Sequence, residues 1–325
     1  MFFVSEEVAA HVISMVDAIE VVEDVFRQLV RGEARAYPAV MAKGPTADEL
    51  FGVKCGALDK GGVYGAKLGS YWPCNRDAGL PAHASSTLLL DAETGFPKAL
   101  IAATHLTSLR TAAANGAAMR HLARADSRSL AIVGAGHQAW FELQAAIAVR
   151  PIDRIRIWNR NMQVAELFAE RVRRELGIQD AEACDLQTAV ETADIVITVT
   201  AARQPLVSRA WVRPGTHISA MGADGRGKQE LDVSLVTSAR LFTDLVEQSI
   251  TLGEFEAAIN QNLITQDDIC ALGAVIEGGA SGRIRPADIT IFDSSGIGLQ
   301  DLAIASLALE RALDLKLVGP LDVQA

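Results

Sequence analysis

The 325-residue chain carries 40 acidic against 30 basic side chains, which gives a formal net charge of −10. A chain of this length can hold two domains with separate cores. The acidic balance argues against nucleic acid as a partner, because phosphate binding needs a basic face. No apolar run approaches the roughly 18 residues of a membrane span, and the N-terminus lacks the basic segment and apolar core of a secretory signal. We therefore expect a soluble protein.

The first hundred residues and the last helix form one predicted domain. Apolar residues at helical spacing predict a helix over residues 16–31. Short β-type segments follow, and a hairpin turn at residues 91–95 joins the last two, which predicts an antiparallel sheet. These segments lie at residues 51–56, 63–69, 86–91 and 98–102. An Ala-rich helix over residues 104–122 should connect this domain to the next, and a helix over residues 298–313 is expected to return to it.

A glycine-rich turn follows the first strand of the second predicted domain. The apolar strand at residues 129–133 runs directly into Gly134-x-Gly136-x-x-Ala139 and then into a helix-compatible segment. Gly134 allows a tight turn, Gly136 lets the backbone approach a phosphate, and a small residue at 139 lets the helix pack on the strand. The N-terminus of the helix supplies free N–H groups for an anion. The pattern predicts the turn that carries the pyrophosphate of a dinucleotide.

Strands and helices alternate after this turn. Helical patterns occupy residues 138–149 and 164–176, between apolar segments rich in β-branched residues. These segments lie at residues 155–158, 194–200, 217–221, 240–243 and 289–293. Strands separated by helices predict the α/β class, with a doubly wound parallel sheet beside the α+β domain. The predicted boundaries are residues 1–115 with 299–325 for the α+β domain, and 116–298 for the parallel one.

The four cysteines are scattered, with no C-x-x-C pair and no histidine at metal-ligand spacing. We expect free, buried thiols in a reducing cytoplasm, and no metal site. They are Cys55, Cys74, Cys184 and Cys270.

Six motifs along the chain resemble the ornithine cyclodeaminase/μ-crystallin family of NAD(P)-dependent enzymes. They are GAK (65–67) with PxN (73–75), DAETG (91–95), LTSLRTAA (106–113), GAGHQA (134–139), MGAD with GKQELD (221–232) and FDSSGIGLQD (292–301). The resemblance covers nearly the whole chain. It implies a Rossmann NAD(P)-binding domain, a substrate-binding and dimerisation domain, and reduction of a small α-imino acid to the L-amino acid by a homodimer.

Three segments narrow the resemblance within the family. Residues 71–75, 221–232, and 242–244 with 249–254 are most similar to members that reduce iminosuccinate to L-aspartate. Three alternatives remain open. They are an ornithine cyclodeaminase-type lyase that uses bound NAD, an alanine dehydrogenase or ketimine reductase for a different side chain, and a non-catalytic binding protein.

The resemblance assigns catalytic roles to Lys67 and Asp224, and substrate binding to Lys54, Lys67, Arg110 and His83. Lys67 and Arg110 match positions that bind the α-carboxylate, for which a guanidinium acts bidentately and an ammonium as a point charge. Asp224 matches the acid/base aspartate of the family. From composition alone, Arg110 could instead form an ion pair on a helix surface, and Asp224 could be a turn residue.

Lys54 stands where ornithine cyclodeaminases carry a glutamate, so the charge is reversed. A lysine there would repel a second ammonium and attract a second carboxylate; the alternative is a solvated lysine at a strand edge. Two features depart from the iminosuccinate-type pattern. Val40 and Met41 stand near the place of an arginine, and the residue after His83 is alanine rather than glutamine. Lys43 is a candidate replacement for the missing cation.

The resemblance also implies a set of cofactor-binding residues. They are Thr111, Gly134, Gly136, His137, Gln138, Asn159, Arg160, Thr200, Met221, Gly222, Ser295 and Gly296. After the second strand, Asn159-Arg160 replaces the acidic residue that bonds the ribose 2′-hydroxyl in NAD sites. Arg160 could pair with a 2′-phosphate, so we expect NAD(P)H as the cofactor with a preference for NADPH. Asn159 could also bond a free hydroxyl, which leaves NADH as the alternative.

Overall fold

The structure is a computed structural model that describes residues 1–46 and 48–321. It divides into two compact units, which we call unit 1 and unit 2. Unit 1 comprises Met1–Thr111 and the chain from Ile297 onward, and unit 2 comprises Ala112–Gly296. In the described part of the chain, no helix is long and apolar enough to cross a membrane.

Unit 1 is built on one sheet. Its strands are β1 (Phe2–Val4), β2 (Ala34–Ala36), β3 (Val40–Lys43), β4 (Leu50–Leu58), β5 (Val63–Tyr71), β6 (His83–Leu90) and β7 (Pro97–Ala102). They are ordered β1-β7-β6-β5-β4-β2, and β3 also pairs with β4. The prediction of an antiparallel sheet is wrong at one edge, because β1 runs parallel to β7. The sequence did not predict β1 to β3, since segments of three or four residues carry too little alternation.

Three helices of unit 1 precede unit 2 along the chain. They are α1 (Glu6–Val12), α2 (Met15–Val30) and α3 (Thr104–Leu122), of which α3 continues into unit 2. Helix α2 is the predicted amphipathic helix. Its start is fixed by a capping box, in which Ser14 and Asp17 each accept a hydrogen bond from the other's backbone.

Unit 2 contains two sheets and seven helices among its described residues. The strands are β8 (Ser129–Val133), β9 (Arg154–Trp158), β10 (Asp180–Ala183), β11 (Ile195–Thr198), β12 (Arg203–Val207), β13 (His217–Ala220), β14 (Gln229–Leu231), β15 (Arg240–Thr243), β16 (Ile269–Ala271) and β17 (Thr290–Asp293). The helices are α4 (His137–Val149), α5 (Met162–Leu176), α6 (Leu186–Glu191), α7 (Val233–Thr237), α8 (Val246–Leu252), α9 (Glu256–Asn260) and α10 (Leu272–Ile276).

The main sheet of unit 2 is parallel throughout, in the order β10-β9-β8-β11-β13-β17-β15-β16. The chain leaves β8 toward β9 on one side and later returns to β11 on the other. This reversal of strand order is the topological switch point at which open α/β sheets bind ligands. The predicted doubly wound α/β class is therefore confirmed, and the glycine turn after β8 lies at the switch point.

The buried strands explain why the sequence predicted this sheet. Ile132, Ile197, Ile218 and Ile291 are fully buried at the middle of four neighbouring strands, as expected for a parallel sheet covered on both faces. The edge strands β10 and β16 were not predicted. The sequence of β10 is Asp-Ala-Glu-Ala, whose polar residues lack the apolar run on which the prediction depended.

The last helix, α11 (Gly298–Asp314), packs on the sheet of unit 1. A Cβ at Gly56 of β4 would lie 2.8 Å from the Leu299 side chain, so the glycine lets the helix approach the sheet. Near its other end, Arg311 forms an ion pair of 2.6 Å with Asp17 of α2. These contacts fix the position of the first turn of α11 over β4 and β5.

The four cysteines are free, as expected. The prediction that they are buried is wrong, because Cys55 and Cys74 are exposed and Cys184 and Cys270 are half-buried. Cys55 alternates with Lys54 along β4 and so points to the other face of the sheet.

Candidate active site

Two lysines of unit 1 lie directly opposite each other in the sheet. Lys54 on β4 pairs with Lys67 on β5 in the antiparallel register, so both side chains project from the same face. Strand β4 is an interior strand, flanked by β5 on one side and by β2 and β3 on the other. The alternative of a lysine at a strand edge is therefore wrong. Like charges facing each other destabilise a strand pair, which points to an anion nearby.

That anion is Asp301, in the first turn of α11. Its Oδ1 accepts a hydrogen bond of 2.9 Å from Lys67 Nζ and one of 2.8 Å from Arg110 Nε. The side chains of all three are nearly inaccessible, at 6%, 6% and 2% exposure for Lys67, Arg110 and Asp301. Arg110 is therefore not on a helix surface. A buried charge of this kind needs partners at close range.

The elements that hold Arg110 are fixed by their own polar contacts. At the N-terminus of α3, the Glu6 carboxylate accepts hydrogen bonds from the backbone N–H groups of Thr104 and His105. Six residues further along α3, Arg110 Nη1 donates a bond of 3.0 Å to Gln300 Oε1 of α11. Arg110 thus bridges α3 to two consecutive residues of α11. A guanidinium has five N–H donors, so these two bonds leave donors for a ligand.

Several polar atoms at this cluster are buried without a protein partner among the described residues. They are Asp301 Oδ2, Gln300 Nε2 and Thr87 Oγ1. Thr87 lies directly across from Lys67 on β6. Buried polar atoms without partners are uncommon and costly. A polar ligand that supplies both donors and acceptors would satisfy them.

The electrostatics of the cluster shift two pKa values. Burial lowers the pKa of Lys67 to about 7, with Arg110 and Lys54 acting in the same direction and Asp301 opposing them. For Asp301, burial acts to raise the pKa, but Arg110, Lys67 and Lys54 together lower it. Lys67 can therefore lose its proton near neutral pH, while Asp301 stays ionised.

On the face of the sheet that carries Lys54 and Lys67, the next pair along β4 and β5 consists of two glycines, Gly52 and Gly69. A Cβ at Gly69 would lie 3.7 Å from His83 Nε2 and 3.9 Å from Lys67 Cε, so His83 lies on the Lys67 side of the sheet. The Met41 thioether covers Gly52. Lys43, two residues beyond Met41 on β3, is exposed at the far end of this face.

In unit 2, the turn after β8 has the shape that the sequence predicts. Gly134 has a φ of 107°, and its N–H donates to Trp158 O at the end of β9. A Cβ at Gly134 would lie 2.8 Å from Val199 O, so no larger residue fits. Gly136 is the N-cap of α4 and makes no side-chain cap hydrogen bond. A Cβ there would meet nothing within 4 Å.

These observations fit a dinucleotide at the turn. Open space beside Gly136 and the N-terminus of a 13-residue helix that begins without a side-chain cap are what a pyrophosphate requires. His137 is the first residue of α4. Burial lowers its pKa, and the positive charge of Arg171 lowers it further. Gln138 donates a bond of 2.8 Å to Glu142 within the same helix. A largely neutral His137 adds no charge of its own at the turn.

The residues expected near the rest of a dinucleotide follow neighbouring strands. Asn159 and Arg160 come directly after β9, where Asn159 Nδ2 donates to Asn161 O at 3.1 Å and Arg160 is exposed. Thr111, at the end of the first segment of unit 1, donates through Oγ1 to Thr107 O within α3. The remaining expected residues lie after β11, β13 and β17; they are Thr200, Met221, Gly222, Ser295 and Gly296.

Asp224 lies in the loop after β13 and forms an ion pair with Lys228. Its side chain is 60% exposed. Lys228 Nζ also lies 3.5 Å from Gly222 O, so the lysine spans the loop. No role was predicted from the sequence for five residues that bond to expected site residues. They are Lys228, Glu230, Asp244, Gln300 and Asp301. All five lie in segments that carry the family resemblance, which was the available signal.

Two features together define the class of protein. A doubly wound sheet with an uncapped glycine turn at its switch point is the architecture of dinucleotide-dependent dehydrogenases, and unit 1 adds a buried cation cluster suited to a carboxylate. The model of the ornithine cyclodeaminase/mu-crystallin family matches residues 1–316. The chain belongs to this family.

Three relatives illustrate the similarity. The iminosuccinate reductase of Paracoccus denitrificans is 39% identical over 312 residues, which cover 96% of this chain and 97% of the relative. Its crystal structure with NAD⁺ superposes with a TM-score of 0.94 and covers 99% of both chains. The Δ1-pyrroline-2-carboxylate reductase of Thermococcus litoralis, solved with NADH and L-proline, has a TM-score of 0.94 at 33% identity and covers 99% and 100% of the two chains.

The third relative is an archaeal alanine dehydrogenase, whose structure is a dimer with bound NAD. It has a TM-score of 0.94 at 35% identity and covers 100% of this chain and 99% of its own.

Proposed function

We propose that this protein reduces a small α-imino acid to the L-amino acid with NAD(P)H, and that its substrate is iminosuccinate, which gives L-aspartate. The class, an oxidoreductase acting on C=N groups, follows from relatives that are imino-acid reductases and dehydrogenases. The substrate proposal is carried by one observation, the buried cation cluster around Asp301 in unit 1.

The net charge of this cluster supports a substrate with two carboxylates. Lys54, Lys67 and Arg110 contribute three positive charges when Lys67 is protonated, and Asp301 contributes one negative charge. These four groups together carry +2, on a chain with a formal charge of −10. A local concentration of one sign attracts ligands of the opposite sign. Iminosuccinate carries two carboxylates and the imine of pyruvate carries one.

The two units have separate tasks in this proposal. Unit 1 is the substrate-binding and dimerisation domain, where Arg110, Lys54 and His83 hold the carboxylates. Unit 2 is the NAD(P)-binding domain, in which the Gly134–Gly136 turn carries the pyrophosphate. When bound, NAD(P)H supplies a hydride to C2 of the imine. The proton that keeps the imine nitrogen protonated is held by Lys67 or Asp224, as general acid catalysis requires.

For the cofactor we propose a preference for NADPH. No carboxylate follows β9 to repel a 2′-phosphate, and the exposed Arg160 guanidinium could pair with one bidentately. The related structures contain NAD or NADH. The preference for NADPH therefore depends on Arg160. Asn159 favours neither cofactor, because it could also bond the free 2′-hydroxyl of NADH.

We also propose a cytoplasmic homodimer that forms through the sheet of unit 1. Val40, Val53 and Leu68 lie side by side on three adjacent strands, on the face opposite to Lys54 and Lys67. Val40 is 71% exposed and Leu68 is 52% exposed. Contiguous exposed apolar surface of this kind marks an interface. The same face carries Cys55, which dimerisation would cover.

Two other functions remain to be separated from this one. A lyase of the ornithine cyclodeaminase type would bind a substrate with a second ammonium, which Lys54 repels. An alanine dehydrogenase or ketimine reductase would use the same cluster for one carboxylate, and the Met41 thioether over Gly52 would then face an apolar side chain.

The experiment is an assay of NAD(P)H oxidation with ammonia and oxaloacetate, pyruvate or glyoxylate, beside an assay of NAD reduction with L-amino acids. We expect the highest kcat/KM with oxaloacetate and ammonia. Ornithine should give no proline. Turnover of ornithine, or a preference for pyruvate, would replace the proposed substrate by the corresponding alternative.

A further inference from the structure

Four carboxyl groups of unit 2 are buried close to the carboxyl edge of its parallel sheet. They are Glu230, Asp244, Glu254 and Asp293, with exposures of 0%, 2%, 1% and 0%. Carboxylates are rarely buried to this extent unless hydrogen bonds compensate for the lost water. The hydrogen-bond donors to these carboxyl groups show which parts of the chain they fix in place.

Glu230 joins the loops that follow two neighbouring strands. Its Oε1 accepts from Thr200 N at 2.7 Å and from Thr200 Oγ1 at 2.6 Å. Its Oε2 accepts from Gly222 N at 3.0 Å. Thr200 follows β11 and Gly222 follows β13, and these strands are paired. One side chain therefore fixes the backbone of both loops.

Glycine at 222 is part of the same arrangement. A Cβ there would lie 2.6 Å from Glu230 Oε1 and would also overlap Thr200 O. The loop after β13 can reach the carboxylate only without a side chain at this position. The hydrogen bond between Gly222 and Glu230 therefore requires both the carboxylate and the glycine.

Asp244 makes a second connection of this kind. It follows β15, and its Oδ2 accepts from Ser294 Oγ at 2.7 Å and from Gly296 N at 3.0 Å, both after the paired strand β17. Gln248 supports the same loop, because its Nε2 donates to Ser295 Oγ and to Gly296 O, each at 2.9 Å.

The other two carboxyl groups, Glu254 and Asp293, accept hydrogen bonds from neighbouring residues. Glu254 accepts from Glu230 N and from Leu231 N, at 3.0 and 2.7 Å. Asp293 accepts from Ser249 Oγ. Burial raises the pKa of Glu254 well above its usual value, with Glu230 and Asp293 adding to the effect.

We propose that Glu230 and Asp244 are positioning residues that hold the loops after β11, β13 and β17 in the conformation that receives the nicotinamide half of the dinucleotide. The inference rests on the proposed function, which places the pyrophosphate at the turn after β8 and the adenosine beside β9. The nicotinamide half of the dinucleotide then lies across the switch point from β9, over the loops after β11, β13 and β17. Fixed backbone groups avoid reorganisation when a ligand binds.

The test compares NADH with ADP-ribose, which lacks the nicotinamide. Binding of both to the full chain is measured by calorimetry for the wild type, Glu230→Gln and Asp244→Asn. A glutamine has one acceptor oxygen in place of two, so its NH2 group must oppose the backbone N–H of either Gly222 or Thr200, and one of the two loops loses its anchor. We expect the Kd for NADH to rise about tenfold or more in each variant, and the Kd for ADP-ribose to change less than twofold.

Asp288→Asn is the matched control. This carboxylate also accepts two backbone N–H groups, from Ile284 and Arg285, but it precedes β17 and so lies at the amino edge of the sheet. It should leave both Kd values unchanged.

The outcomes separate the two levels of the proposal. Equal losses of NADH and ADP-ribose binding, or wild-type NADH binding in both variants, would overturn the positioning role. If the wild type binds no dinucleotide, the proposed function itself fails. Should Glu230→Gln not fold, Asp244→Asn carries the test by itself, because Asp244 is not among the residues expected to contact the dinucleotide and accepts hydrogen bonds from Ser294 and Gly296 in the same way.

Discussion

Lys54 and Lys67 face each other across β4 and β5, and the buried Asp301 carboxylate accepts a hydrogen bond from Lys67 and another from Arg110. The lysine pair opposes local stability, as like charges opposite each other in a sheet do. An anionic substrate that enters the site would relieve this repulsion, which links the stability of unit 1 to ligand binding.

The first prediction concerns cofactor choice. Arg160→Ala should raise KM for NADPH about tenfold or more, because a charge-assisted hydrogen bond contributes about 1.5–3 kcal/mol. KM for NADH should change little. Steady-state kinetics with both cofactors at a fixed imine concentration measure the difference.

Arg154→Ala provides the control for this prediction. Arg154 begins β9 and pairs with Asp180, so it lies at the opposite end of the strand from Arg160. Its removal should affect neither cofactor. A similar loss with NADPH and NADH in Arg160→Ala would remove the proposed preference.

The second prediction separates proton transfer from binding. Asp224→Asn should lower kcat about 10²-fold or more, as expected for a general acid–base group. The Kd for NADH, measured by fluorescence titration, should remain within a factor of two. Near wild-type turnover would exclude Asp224 from the reaction and leave its ion pair with Lys228 as a purely structural contact.

The sequence predicted the elements whose patterns are strong and local. The β8 strand, its glycine turn and α4 follow from an apolar run and two glycines, and α3 ends where the pattern ends. The sequence could not predict β10. Two of its four residues are acidic, and they form a strand only by pairing with β9. Pairing of this kind is decided by tertiary contacts rather than by propensity.

The same distinction applies to the candidate site. Lys67 and Arg110 stand in motifs, but their shared partner Asp301 is 234 residues from Lys67 along the chain. No local pattern connects such residues. Glu230 and Asp244 lie in segments that carry the family resemblance, but their roles could not be predicted, because a buried acid has the same local sequence as an exposed one.

The third prediction concerns Asp293, whose pKa burial raises from 3.8 to about 8. An acid with a raised pKa in the folded state stabilises the fold fully below its unfolded value and loses this contribution as pH rises toward 8. The free energy of unfolding of the wild type should therefore fall relative to that of Asp293→Asn between pH 5 and 8. The slope should approach but not exceed about 1.4 kcal/mol per pH unit.

Urea denaturation of both proteins at several pH values measures this difference. Asp288→Asn is the control, because hydrogen bonds from the Ile284 and Arg285 amides help to lower rather than raise the pKa of Asp288. A difference between wild type and Asp293→Asn that does not vary with pH would show that Asp293 is ionised in the folded protein.

The fourth prediction follows from the pKa of about 7 for Lys67. If the protonated ammonium acts on the substrate, kcat/KM should fall as pH rises through about 7. Δ1-Pyrroline-2-carboxylate is a suitable substrate because this cyclic imine needs no ammonia. Lys67→Arg keeps the charge but not the titration, so its residual activity should lack this pH dependence. An unchanged profile would assign the titration to another group.

The most direct test of the account is the charge at position 54. Lys54→Glu can pair with Lys67 and so keeps the sheet intact, but it removes a cation from the site. It should lower kcat/KM for the imine of oxaloacetate about 10²–10³-fold, because removing one partner of a charge pair that the bound substrate buries costs about 2–4 kcal/mol. Lys54→Met should have an intermediate effect, and the imine of pyruvate should be affected far less in both variants. Equal losses for the two imines, or a wild type that prefers the imine of pyruvate, would contradict the dicarboxylate proposal.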